Sequence, residues 1–158
     1  MMKTVIDPAT VVALAFADGG YVDPASVPET TIAVAEERWL IPVIGGEMHA
    51  ALLEGSHADF REEYVAPVVA LYTRLLMMPD LGVQTGQCGL TVPSSSTFEA
   101  APVERTRIAA RSLRHRARTL LHRMSRHLDD HAAEFPEYDP EKNILKRCST
   151  DGNIVQIR

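Results

Sequence analysis

The stretch that decides the fold is PVERTRIAARSLRHRARTLLHRMSRHLDDHAA, residues 102–133. Apolar side chains recur in it at intervals of three and four residues, which is typical of a helix with one buried side. The apolar positions are Ala110, Leu113, Ala117, Leu120, Leu121, Met124 and Leu128. Such a helix would span roughly 45 Å. Other helices must cover its leucine side, so we expect a mainly α fold, a small helical bundle with a long basic C-terminal helix.

The side of this helix opposite the leucines is basic. Successive residues of a helix lie about 100° apart, which places Arg111, Arg118 and Arg126 near the centre of that side, with His115 and His122 between them. The bordering arginines are Arg107 and Arg114 on one flank and Arg105, Arg116 and Arg123 on the other. We give the name arginine face to the set Arg107, Arg111, Arg114, Arg118 and Arg126.

Charge is distributed unevenly along the chain. Residues 1–100 contain thirteen acidic and four basic residues, whereas residues 101–128 contain eight arginines and one glutamate. The arginine face has three interpretations: a solvated helix surface, a docking surface for the acidic part of another subunit, or a strip that contacts DNA phosphates. The acidic remainder favours docking, because identical copies packed head to tail would set a basic surface against an acidic one.

Four further helices are expected before the long one: Pro8–Phe16, Pro28–Ile41, Glu47–Leu53 and His57–Met78. The prolines should shape them, since a proline lacks the amide hydrogen that a helix interior needs. Pro42 is expected to end or kink the second helix, Pro67 to bend the fourth, and Pro79 to end it. Pro42 with Gly45 and Gly46 predicts a sharp structural corner that folds two apolar helix sides together.

The character of the chain changes at residues 81–98, where Gly82, Gly86 and Gly89 precede Pro93 and a run of three serines. This composition predicts a loop or a small β-hairpin near residues 83–93. After Phe135 and Pro136 only short apolar islands remain. We therefore expect one helical domain at residues 1–135 and, at 136–158, a C-terminal tail that is extended or is ordered by a partner.

The composition excludes several classes of protein. No apolar run approaches the roughly 20 residues of a membrane helix, and the N-terminal residues lack the pattern of a signal peptide, so we expect neither a membrane-bound nor an exported protein. Cys88 and Cys148 are too few for a disulfide framework and lack metal-binding spacing. We expect them to be reduced thiols in a cytoplasmic setting.

The search for catalytic chemistry is mostly negative. The sequence has no nucleophile elbow, phosphate-binding loop, zinc-binding HExxH or dinucleotide fingerprint. His127 and His131 have a spacing that could seat a metal, but no third ligand is evident. Glu36–Glu37 and Glu62–Glu63 are adjacent pairs that diverge on a helix, and we interpret both as solvated. Cys88 in its glycine-rich loop is a conceivable nucleophile. We expect no enzyme, no metal and no cofactor.

Two stretches carry a resemblance to a known family. IAVAEERWLIPVIGGEM, residues 32–48, with Leu52 and Leu53 after it, resembles phage head–tail connector proteins, in which an amphipathic helix meets a proline–glycine turn before a short helix. EYVAPVVALY, residues 63–72, is similar to the following helix of those proteins. The resemblance covers about residues 5–135.

The resemblance implies a non-catalytic adaptor subunit of a tailed phage or prophage. Such subunits form a ring of about twelve copies between the portal protein and the tail or stopper proteins, with double-stranded DNA passing through the centre. The expected location is the neck of the virion, and the bacterial host cytoplasm during assembly. The resemblance also implies that residues 141–158 dock onto the portal or an adjacent copy. The alternative is a small helical DNA-binding or regulatory protein that uses the arginine-rich helix at 102–133.

Overall fold

The computed structural model describes residues 3–18, 21–81, 84–86, 89–91, 103–146, 148–151 and 154–157. The α-helices are α1 Pro8–Ala15, α2 Glu29–Ala35, α3 Ile41–Ile44, α4 Gly46–Leu53, α5 Ala58–Phe60, α6 Ala66–Leu81 and α7 Val103–Asp130. Two π-helical turns, Glu36–Leu40 and Arg61–Val65, join α2 to α3 and α5 to α6. Short 3-10 turns lie at Pro24–Ser26, Ala132–Glu134 and Ile144–Lys146. The prediction of a mainly helical bundle is confirmed.

The core is centred on α6, which packs against α1, α2 and α7. Pro8 begins α1 behind an N-cap, because the Asp7 carboxylate accepts the Thr10 N–H at 2.8 Å. The leucine side of α7 faces α6, and its central positions Leu113, Ala117, Leu121, Met124 and Leu128 are buried. The antiparallel course of the two helices brings Tyr64 against His127 at one end of the bundle and Leu75 near Arg114 at the other.

The two π turns have a common cause in the prolines that follow them. The Ile41 N–H donates to the Glu36 carbonyl, five residues back, immediately before Pro42. The Ala66 N–H donates to the Arg61 carbonyl in the same way, immediately before Pro67. A proline ring clashes with the carbonyl four residues earlier in a regular α-helix, and the wider π turn relieves that clash. The chain therefore continues as a helix through both prolines.

The chain turns sharply at Gly45, three residues after the proline that was expected to end or kink the helix. Gly45 has φ 85° and ψ 159°, a conformation that strains residues with a side chain. Pro42 lies inside α3, and Gly46 is the first residue of α4. The predicted corner exists, but the break is made by Gly45 alone.

Two other expectations about the fourth predicted helix are corrected. Pro79 lies inside α6, which continues to Leu81, so the prediction that Pro79 ends the helix is wrong. It stands in the last turn, where few hydrogen bonds remain to be lost. His57 adopts a left-handed backbone (φ 54°) and precedes α5 instead of beginning a helix.

Two antiparallel strand pairs complete the described structure. Strand β1, Gln84–Gly86, pairs with β2, Gly89–Thr91, with Thr85 opposite Leu90. These strands fall in the region where the sequence suggests a hairpin. Strand β3, Cys148–Asp151, pairs with β4, Ile154–Ile157.

The segment that follows α7 differs from the expected extended tail, because residues 136–146 fold back onto the bundle. Phe135 and Tyr138 are 5% exposed and Asn143 is fully buried. The Asn143 amide donates to Ser125 Oγ at 2.8 Å and to the Tyr138 hydroxyl at 2.9 Å, and its oxygen accepts the Leu145 N–H. The Tyr138 hydroxyl in turn donates to Asp129. Hydrogen bonds, which a hydropathy pattern does not reveal, therefore hold this polar segment in place.

Glu36 is buried within the first π turn. One oxygen of its carboxylate accepts the Val5 N–H at 2.7 Å, and the other lies 2.9 Å from His49 Nε2. The expectation that Glu36 and Glu37 are both solvated is therefore wrong for Glu36, whose side chain is 3% exposed. The extra residue of a π turn shifts the helical phase, which a regular helical projection does not anticipate. The carboxylate joins the N-terminal segment, the π turn and α4.

We predict that Glu36→Ala lowers the free energy of unfolding by about 2–5 kcal/mol, because the Val5 N–H and His49 would lose their buried acceptor. Glu37→Ala, at the exposed neighbouring position, is the matched control and should change stability by less than about 0.5 kcal/mol. Urea unfolding followed by circular dichroism measures both. Equal effects of the two substitutions would contradict the role given to Glu36.

A second prediction concerns Tyr138. Burial raises the pKa of its hydroxyl to about 12, whereas a tyrosine of the unfolded chain titrates near 10. Folding therefore favours the protonated hydroxyl, and this stabilisation is complete below about pH 10 and is lost as the pH rises toward 12. At neutral pH we expect Tyr138→Phe to cost about 1–3 kcal/mol, because Asn143 and Asp129 lose a partner.

The difference in stability between the wild type and Tyr138→Phe should shrink between about pH 10 and 12. Tyr21→Phe, at a position that is 90% exposed, is the control and should track the wild type throughout. Chemical unfolding at a series of pH values provides the test. A difference that stays constant across this range would show that Tyr138 does not titrate as proposed.

Candidate functional site

The arginine face lies on the outer side of α7. All five of its residues are exposed, since the leucines opposite them pack on α6. Arg107 lies 3.6 Å from Glu104 in an exposed pair. Within the described part of the chain, no ion pair involves Arg111, Arg114, Arg118 or Arg126. The face is therefore a row of four uncompensated guanidinium groups on a rigid helix.

Two arginines outside the arginine face have partners on the bundle itself. Arg123 Nη2 lies 3.1 Å from Glu63 Oε1, and Arg74 Nη2 lies 2.7 Å from Asp18 Oδ2. The Arg74 hydrogen bond, with smaller help from the charge of Arg116, lowers the pKa of Asp18. Arg123 and Arg74 thus neutralise nearby carboxylates, whereas Arg111, Arg118 and Arg126 remain available to another molecule.

An apolar groove lies beside the first half of α7. It has a volume of about 610 Å³, and its lining includes Trp39, Leu76, Met78, Arg38 and Arg114. The Trp39 ring stacks on Tyr72 with centroids 4.3 Å apart, and the Arg38 guanidinium lies 4.8 Å from the centroid of the Trp39 ring. Burial raises the pKa of Tyr72, and the charges of Arg118 and Arg114 oppose that rise. The positive field of α7 therefore reaches the wall of the bundle.

A smaller cavity of about 330 Å³ lies at the opposite end, where the second π turn meets the end of α7. We name it the aromatic–carboxylate cavity. Its lining consists of His57, Ala58, Asp59, Phe60, Glu63, Tyr64, His127, Glu134 and Phe135. Tyr64 and His127 stack at 4.1 Å, and the Phe60 and Phe135 rings meet at 4.9 Å. A backbone hydrogen bond lowers the pKa of the Glu137 carboxyl, and a smaller contribution comes from His57, whose Nε2 lies 3.2 Å from this carboxylate.

The residues considered as candidates for metal binding or acid–base chemistry form contacts with neighbouring side chains and backbone groups. The His127 and His131 rings lie 4.3 Å apart, and His131 Nδ1 contacts the His127 carbonyl oxygen. In the described ranges, no three His, Cys, Asp or Glu side chains gather as a metal site. Glu62 and Glu63 are exposed and lie near Arg61 and Arg123, respectively. Cys88 and the side chain of Cys148 lie outside the part of the chain that the structure describes.

Two features of the structure were not predicted from the sequence. The Glu36–His49 pair spans thirteen residues across the Gly45 corner, and the aromatic–carboxylate cavity gathers residues from α5, the π turn, α7 and the segment after it. No pattern in the sequence singles out Glu36, which stands beside a second glutamate, Glu37. Among the helices of the described residues, none is both long and apolar enough to cross a membrane.

Comparison with known proteins yields one match. The model of a family of unknown function, DUF6712, matches residues 43–147, about two thirds of the chain. The protein belongs to the DUF6712 family. The match covers Gly45, α4, α6, α7 and the packed segment after α7, so it includes the arginine face and the aromatic–carboxylate cavity. Neither a curated protein nor a solved structure matches the chain.

Proposed function

We propose that this DUF6712 protein is a structural head–tail connector subunit of a tailed phage or prophage, which assembles as a ring between the portal and the tail. The observation that carries the proposal is the arginine face. Four of its five arginines are exposed and form no ion pair within the described residues, whereas the acidic residues are concentrated in the first hundred residues. This arrangement suits contact between copies more than it suits catalysis.

Charge complementarity supports a ring of identical copies. The exposed carboxylates Glu47 and Asp59 lie on α4 and α5, and Glu54 follows directly after α4. A basic surface and an acidic surface on different parts of one molecule cannot satisfy each other internally. A head-to-tail contact between copies satisfies both, and its repetition closes a ring when the rotation permits.

The organisation around Gly45 also supports the proposal. The resemblance to connector proteins rests on a helix, a proline–glycine turn and a second short helix, and α2, α3 and α4 have that order. The buried Glu36–His49 pair ties the two sides of the turn together. In the proposed role this unit is a rigid structural corner, and its titratable groups serve the fold.

The partners in this proposal are the portal protein, tail or stopper proteins and about twelve copies of the chain itself. The subunit would lie in the virion neck after assembly in the host cytoplasm. Double-stranded DNA passing through the ring could meet arginines that do not contact a neighbour. We propose a mechanical role, without a catalytic step and without a metal or cofactor.

The alternative is a small helical DNA-binding or regulatory protein. It is favoured by the spacing of Arg111, Arg118 and Arg126 along one side of α7, which places cations over roughly 22 Å of helix. Such a row could contact successive phosphates of the DNA backbone. The affinity for DNA would then fall steeply as the salt concentration rises. The isolated protein should bind DNA at low salt if this alternative is right.

We predict that native mass spectrometry of the protein mixed with the portal protein of a neighbouring gene finds a complex with about a dozen copies. Arg111→Glu/Arg118→Glu should lose this complex, because like charges would meet at the contact. Lys3→Glu/Lys142→Glu makes the same change of net charge at exposed positions outside α7 and should assemble normally.

Three results would contradict parts of the proposed function. Normal rings from Arg111→Glu/Arg118→Glu would contradict docking through the arginine face. A wild type that ignores the portal would contradict the connector function. If that wild type also binds duplex DNA with a steep dependence on salt, the DNA-binding alternative replaces it.

A further inference from the structure

We propose that the aromatic–carboxylate cavity is a guanidinium-binding site, and that its ligand is an arginine from the arginine face of a second copy. The inference deepens the proposed function and rests on it, because it identifies the receiving surface of the contact between copies. It concerns residues that no sequence motif marks.

The lining of the cavity has the chemistry that a guanidinium prefers. The rings of Phe60, Tyr64 and Phe135 line it, of which Phe60 and Phe135 are buried and Tyr64 is half-buried, and an arginine packs well against an aromatic wall. Asp59 and Glu134 are exposed at its rim, and neither forms an ion pair within the described residues. A planar cation between rings and carboxylates gains both stacking and charge-assisted hydrogen bonds.

An arginine of the same chain already binds the edge of this site in that way. The Arg123 guanidinium carbon lies 4.9 Å from the centroid of the Tyr64 ring. Its Nη2 atom is 3.1 Å from Glu63 Oε1. Arg123 and Glu63 satisfy each other, so Asp59 and Glu134 are the carboxylates left for an incoming cation. The local pair shows that this end of the bundle holds a guanidinium against an aromatic ring and a carboxylate.

The incoming arginine must come from another molecule. The cavity lies beside His127, and the neighbouring Arg126 does not line it. Arg118 and Arg111 precede His127 by nine and sixteen residues on the same helix. These separations correspond to roughly 13 and 24 Å along the helix axis. An arginine side chain is too short to bridge them, and both residues occupy the outer side of α7. A second copy can present Arg111 or Arg118 to the cavity without deforming either bundle.

This contact joins two different surfaces, a donor and a receiver. The donor lies on the outer side of α7, and the receiver lies where α5 and the second π turn meet the end of α7. In a ring, each copy donates to one neighbour and receives from the other, so the contact is heterologous and repeats until the ring closes. A two-fold dimer would instead pair the donor and the receiver of one copy with those of a single partner, so the mass of the complex distinguishes the two assemblies.

The test is a charge exchange between two variants. Asp59→Arg/Glu134→Arg makes the receiver basic, and Arg111→Glu/Arg118→Glu makes the donor acidic. Each variant alone should associate at least about tenfold more weakly than the wild type, because like charges meet at the contact. An equal mixture of the two should recover association, because every contact between unlike variants again joins opposite charges. Sedimentation velocity at low salt and up to millimolar protein measures the association.

Glu37→Arg/Glu141→Arg is the matched control, since it makes the same change of net charge at exposed acidic positions outside the cavity. It should associate like the wild type, and circular dichroism should show that all variants remain folded. Failure of the mixture to recover association would overturn the proposal. So would wild-type association by Asp59→Arg/Glu134→Arg, or absence of association by the wild type at millimolar concentration.

The outcome is separable from that of the portal experiment. Copies that associate through the cavity but ignore the portal would retain this inference and remove the connector function. Rings of normal size on the portal from Asp59→Arg/Glu134→Arg would retain the connector function and remove this inference.

Discussion

The packing of α7 on α6 is the constraint on which the rest of the structure depends. Helix α7 has a single apolar side, and burying Leu113, Leu121 and Leu128 against the bundle leaves no freedom in where the arginines point. A rotation of α7 that covered its arginines would expose these leucines and bury unpaired charges, and both changes are unfavourable. The most stable core therefore also produces the basic surface that we assign to assembly.

The main helices and the arginine face could be predicted because they follow from local periodicity. Five of the seven apolar positions expected to be buried on α7 are buried, whereas Ala110 and Leu120 are half-buried and Ser125 is buried as well. The effect of the prolines could not be predicted in the same way. Pro42 and Pro67 lie in continuous helices because a π turn precedes each one. The extra residue of a π turn cannot be recognised from the periodicity of the sequence.

The remaining features depend on contacts between distant parts of the chain. The sequence around Glu36 predicts a surface residue, whereas the folded chain brings Val5 and His49 into contact with its carboxylate. The polar sequence around Asn143 predicts a tail, whereas in the folded chain Asn143 donates hydrogen bonds to Ser125 and Tyr138. The aromatic–carboxylate cavity likewise forms only when the end of α7 meets the second π turn. Hydrogen bonds and ring contacts of this kind are tertiary, and hydropathy does not encode them.

The central claim is that the arginine face is covered by another protein molecule in the assembled state. Covalent labelling with an arginine-selective dicarbonyl reagent, quantified residue by residue, tests it most directly. In the portal-bound complex, Arg111 and Arg118 should react much less than in the free protein, whereas Arg74, already paired with Asp18, should react equally in both. Unchanged labelling of Arg111 and Arg118 in a complex that has formed would contradict the account.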